Sequence, residues 1–195
     1  MTAEQRAEIE AAVRELLAAS AWDKATEAAL RGYGPEVLGW LHATMAPGEA
    51  ADAFSLFGEE LWKSLRRFDG RCSVRTWSYM LARQAAYRVR EARAAGREVP
   101  LSSAPIDGLA VEVRETTLVH LRTEVKDRVR ELRRNLDPED QTILILRVDR
   151  DLGWRDVAQI TLGADATTAD LDRHAAALRK RFERIKQRLR ELAAE

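Results

Sequence analysis

Apolar residues recur at helical spacing along almost the whole chain, and no polar–apolar alternation persists between turn signals at both ends. This pattern predicts an all-α fold. Ile9, Val13, Leu16 and Leu17 mark a helix over residues 5–19. A second is expected around Val37 to Met45, after the punctuation Gly32-Tyr33-Gly34-Pro35. Phe54, Phe57, Leu61 and Leu65 set a third from about Glu49 to Phe68. Val74, Trp77 and Leu81 set a fourth over about Ser73 to Ala95.

The periodicity fails between about Gly96 and Glu115, where prolines, serines and glycines accumulate, and this stretch reads as a linker. The expected layout is therefore two helical domains: an N-terminal extension over 1–20, a first domain over 21–95, a linker over 96–116 and a second domain over 117–195. In that second part a helix is expected from about Thr117 to Leu136. Asp137-Pro138 offers an N-cap followed by proline at the first helical position, opening the helix that holds Ile143 to Val148. A short helix over Trp154 to Leu162 ends at Gly163. Thr167 and Asp170 resemble a capping box for a long last helix.

Charge is balanced overall, with 32 basic and 32 acidic residues, but it is laid out in blocks. Residues 1–61 carry −7, 62–97 carry +8, 98–172 carry −6 and 173–195 carry +5. The basic blocks would draw a polyanion, while the acidic ones could face a basic protein surface or simply be solvated.

Within the first basic block, Arg75, Tyr79, Arg83, Tyr87 and Arg90 fall on one helical stripe. Guanidinium groups there could meet phosphates while rings stack on unpaired bases; a solvated arginine face edged by packed tyrosines is the competing account. The loop Phe68-Asp69-Gly70-Arg71-Cys72-Ser73 has the small residues a tight backbone path near a ligand needs. In the second basic block, Leu171, Ala175, Leu178, Phe182, Ile185, Leu189 and Leu192 form an apolar stripe opposite a basic surface. Arginines near its leading end could reach guanine edges in a major groove, although a basic coiled coil has the same pattern. The preceding short helix, with small Ala158 and the turn at Gly163, favours helix-turn-helix. In the third helix, the acidic residues and large apolar ones (Phe54, Phe57, Leu61, Trp62) fit either a protein-docking surface or burial on two sides.

Catalysis has little support. His42, His120 and His174 are scattered, a single cysteine rules out an internal disulfide, and neither a phosphate loop nor a nucleophile motif is present. The N-terminus lacks the order of a secretion signal and no long apolar run occurs, so a cytoplasmic protein without membrane insertion is expected.

Residues 52–90, DAFSLFGEELWKSLRRFDGRCSVRTWSYMLARQAAYRVR, resemble the best-preserved stretch of the extracytoplasmic-function group of bacterial sigma factors. Asp52-Ala53-Phe54, Leu61-Trp62, Phe68, Gly70, Thr76-Trp77 and Leu81-Ala82 stand in that family's order. Leu136 to Asp140, Ile143 to Arg147, Leu152, Asp156-Val157-Ala158 and Leu178 to Leu192 extend the likeness. The resemblance implies a promoter-melting domain and a helix-turn-helix domain, with core RNA polymerase and promoter DNA as partners. It leaves an anti-sigma protein open as a third partner and requires no cofactor. Asp52, Phe54, Leu61 and Trp62 would contact polymerase. Phe68, Gly70, Arg71, Ser73, Arg75, Trp77, Tyr79, Arg83, Gln84, Tyr87 and Arg90 would line the melted strand. Arg179, Lys180, Arg181 and Arg184 would read the distal promoter element. Three features depart from the family: Gln84 replaces its common asparagine, the segment from Gly163 to Leu178 exceeds its usual tight turn, and about twenty N-terminal residues precede its usual start. A helical regulator that binds polymerase without reading promoters is the alternative, and a small helical enzyme a more remote one.

Overall fold

The computed structural model describes residues 1–99, 106–121 and 135–194, and among these it is helical with no strand. The chain divides into two compact units, Met1–Leu121 and Arg122–Glu195.

The first unit is built from α1 (Ala3–Ala18), α2 (Trp22–Thr44), α3 (Pro47–Ser64), a 3-10 turn (Leu65–Arg67), α4 (Val74–Ala94) and α5 (Asp107–Leu121). Thr2 and Gln5 form a capping box at the start of α1, satisfying donors the helix cannot pair internally. Helices α2, α3 and α4 pack on one another around Leu30, Leu38 and Leu41, Phe54, Phe57 and Leu61, and Val74, Met80 and Val89, all essentially without solvent exposure. Each such side chain stabilises the fold by about 1.5–3 kcal/mol relative to an exposed one.

Two expectations fail in this unit. Gly32-Tyr33-Gly34-Pro35 is not punctuation, because α2 runs through it. Pro35 lacks the N–H that the Arg31 carbonyl would accept, a local cost that packing outweighs. The glycines are points of close approach. A Cβ on Gly32 would sit 2.7 Å from Ile9 Cγ2 of α1, and one on Gly34 would sit 3.0 Å from Val113 Cγ1 of α5. Nor is the expected linker loose throughout. Residues 107–116 belong to α5, which lays Ala110, Val113 and Thr117 against α2 and α3, with Ile106 buried just before it. Arg31 of α2 clasps Glu112 through its two terminal guanidinium nitrogens, at 2.8 and 3.4 Å. Of the helix expected over Thr117 to Leu136, residues 117–121 end α5 and 122–134 lie outside the described residues.

In the second unit, α6 (Pro138–Leu144) continues into a π turn (Ile145–Asp149), then come α7 (Trp154–Leu162) and α8 (Thr168–Ala194). Asp137 is the N-cap of α6 and Pro138 its first residue, but the Asp137 side chain makes no capping bond. The chain turns from α7 at Gly163, whose φ of 98° suits glycine. Helix α7 packs on α8, Ala158 is fully buried, and Ile143, Leu146, Val157, Ile160, Leu178 and Ile185 fill the core. Trp154 and Phe182 meet edge-on at 5.3 Å.

Candidate nucleic-acid interface

The start of α4 and the loop before it gather most of the chemistry expected to meet DNA. Phe68 and Trp77, both half-buried, meet edge-on with centroids 5.5 Å apart, and the Trp77 indole donates to Ser64 Oγ at 3.4 Å. Gly70 adopts φ 75° with no neighbour near its missing Cβ, so the backbone conformation is what requires glycine there. The Arg71 backbone N–H and then its guanidinium hold the Asp69 carboxyl below the usual carboxylate range. Ser73 caps α4 by accepting from the Thr76 N–H at 3.0 Å.

The expected basic-aromatic stripe is broken at its upper end. Arg75 is buried and clasped by Glu36 of α2, with Nε 2.8 Å and Nη2 3.2 Å from the two carboxylate oxygens. Tyr79 is fully buried, edge-on to Trp40 at 6.1 Å. Residues 75 and 79 are therefore interior, facing Glu36 and Trp40 of α2. Further along, Arg83 is half-buried, Gln84 exposed and the Tyr87 ring 68% exposed. Arg90 is half-buried and donates to the Thr44 carbonyl at 2.7 Å, closing the C-terminus of α2.

Three exposed arginines outside the expected set adjoin this surface. Arg66 and Arg67 project from the 3-10 turn immediately before Phe68, and Arg88 stands one residue beyond Tyr87, paired with Glu60 at 2.8 Å. The adjacency of Arg66-Arg67 to Phe68 was a readable signal for the first two. Phe68 and Trp77 are thus half-buried beside exposed Arg66, Arg67 and Arg71 in sequence, and Tyr87 and Arg88 are exposed further along α4.

Of the residues expected to contact polymerase, Phe54 and Leu61 are inside the core. Asp52 and Trp62 reach the surface. Asp52 accepts from Arg93 at 2.7 Å, and the Trp62 indole donates to Asp23 at 3.2 Å. Trp62 borders a depression of about 380 Å³ whose walls carry both signs, Asp23, Glu27 and Glu112 beside Lys24 and Arg31.

On α8, Arg179, Lys180 and Arg184 are exposed. Arg181 instead spans to α6, donating to Asp140 at 2.5 Å and Glu139 at 3.0 Å, so it serves as a tie between two helices. The leading end of α8 is acidic. The Thr167 hydroxyl and N–H hold the Asp170 carboxyl low, Asp170 also pairs with Arg173, and Asp172 pairs with Arg155 at 3.3 Å. Asp165 stands exposed in the turn before it.

Among the described residues no three His, Cys, Asp or Glu side chains gather as metal ligands, and no helix is long and apolar enough to cross a membrane. No family model, no curated protein and no solved structure matches the chain.

Proposed function

We propose that this protein is a sigma factor of the extracytoplasmic-function group, acting in the cytoplasm by binding core RNA polymerase, recognising two promoter elements and assisting strand opening. The observation that carries the reading is the pair of rings, Phe68 and Trp77, set at a glycine-containing loop and flanked by Arg66, Arg67 and Arg71. A ring face that solvent can reach stabilises an unpaired base by about 1–3 kcal/mol, and nearby guanidinium groups offset phosphate repulsion along the same strand. These contacts favour the opened strand over the duplex, so binding energy offsets the cost of unstacking. In this reading the two units act as separate domains, and the segment between α5 and α6 joins them. Asp52 and Trp62 would meet polymerase. Arg179, Lys180 and Arg184 would neutralise phosphates of the distal element.

The test is run-off transcription on fragmented DNA of the source organism, using its core polymerase with and without the protein. Discrete new starts sharing two spaced upstream elements support a sigma factor. One observation favours a second reading, a regulator that binds polymerase without promoter recognition: the leading end of α8 carries Asp165, Asp170 and Asp172, the last two paired with Arg173 and Arg155, and so has no surplus of cations to meet phosphates. Tight polymerase binding with an unchanged set of starts would establish that alternative.

A further inference from the structure

The N-terminal helix α1 has no counterpart in the sigma-factor resemblance, yet one of its side chains reaches the end of the loop proposed to capture the strand. Glu10 Oε2 accepts the Val74 backbone N–H and Glu10 Oε1 the Arg75 N–H, each at 3.0 Å. These are the first two residues of α4, whose amides have no partner within the helix. A carboxylate there also meets the positive end of the helix dipole. The same Oε1 accepts from the Tyr33 hydroxyl at 2.9 Å, and burial followed by the nearby Glu10 charge pushes the Tyr33 phenol well above its ordinary pKa.

The placement is built from several directions. Because Gly32 has no side chain, Ile9 packs directly on α2, which brings the next residue, Glu10, against α4. Glu36 of α2 holds the Arg75 guanidinium while Glu10 of α1 holds its backbone, so two carboxylates from two helices grip one turn. Ser73 caps the same turn from within the loop. Phe68 to Ser73 thus ends on an anchor supplied 64 residues earlier in the chain.

We infer that Glu10 is a positioning residue for strand capture: it fixes the end of the 68–73 loop and thereby the register in which Phe68, Arg71 and Trp77 face a single strand. The inference rests on the single-strand reading above, and its test separates the two. Glu10→Gln preserves size but turns one acceptor into a donor facing an N–H. Two quantities are read on the full chain: amide exchange at Val74, Arg75 and Arg71, whose N–H donates to Asp69, by NMR, and affinity for a fluorescein-labelled mixed-sequence 12-mer of single-stranded DNA by anisotropy. Glu10→Gln is expected to speed exchange at all three amides and weaken oligonucleotide binding about tenfold, the scale of a lost capping interaction. Glu8→Gln, exposed on the same helix, should change neither. Tyr33→Phe, which keeps the carboxylate, should give a smaller loss in the same direction and serves if Glu10→Gln does not fold. Unchanged exchange at Arg71, or unchanged affinity despite faster exchange, would overturn the inference. Wild-type protein that binds no oligonucleotide, while Glu10→Gln still frees the loop, would sink the DNA reading and leave the anchor standing.

Discussion

The N-termini of α4 and α8 are both expected to lie near DNA, and they solve the same capping problem with opposite surroundings. At α4 the orphan amides are taken by Ser73 and by Glu10 from another helix, and the preceding residues are arginine-rich with two rings in contact. At α8 the cap is local, with Thr167 and Asp170 serving each other, and the neighbours Asp165 and Asp172 are acidic. A helix N-terminus attracts anions only when nearby side chains do not reverse its field. At α4 the carboxylates of Glu10 and Glu36 occupy the helix end, so it is the preceding Arg66, Arg67 and Arg71 that suit a strand of phosphates, whereas on α8 the exposed cations Arg179, Lys180 and Arg184 come about three to four turns after its start.

The largest expected effect separates framework from surface at α4. Arg75→Ala leaves Glu36 as an uncompensated charge in a largely buried site and should destabilise the first unit by about 3–5 kcal/mol in chemical denaturation. A stable Arg75→Ala protein that had merely lost DNA affinity would return Arg75 to the surface stripe. Next, Gly32→Ala forces Ile9 away and should cost about 1–3 kcal/mol, read as a lower denaturation midpoint; an unaffected midpoint would show that α1 can shift freely. Trp77→Ala should weaken single-strand binding by about 1–3 kcal/mol while leaving duplex affinity unchanged. Equal losses for both forms of DNA would dissolve the contrast between the helix ends. Smallest should be Asp172→Asn, which removes an exposed acid and should raise duplex affinity by less than about 1 kcal/mol, more at low salt than at high. Weaker duplex binding in this variant would mean that Asp172 contributes to recognition.

How much was legible follows from where each partner lies. Helix α4 and the reciprocal Thr167–Asp170 cap could be read because their signals are local: Ser73 before a periodic stripe, and two polar side chains three residues apart. Helix α5 was missed although Ile106, Ala110, Val113 and Thr117 keep helical spacing, because nearby prolines and small residues dominate the composition there. Gly32 to Pro35 misled for a related reason. Glycine signals a turn locally, but here it signals contact with Ile9 and Val113, at distant places in the chain. The candidate site was half-readable. Spacing placed Arg75, Tyr79, Arg83 and Tyr87 on one stripe but could not say which part of it is covered, since the partners Glu36 and Trp40 lie on α2. The ties of Arg181 were hidden likewise, its acids being on α6.

Strand opening is the central claim, and permanganate reactivity of thymines upstream of a transcription start measures it directly. On a promoter bound by polymerase with this protein, thymines of the non-template strand should become reactive, and Trp77→Ala should abolish that reactivity while the complex still forms. Thymines that stay protected in a stable complex with the wild-type protein would contradict the account.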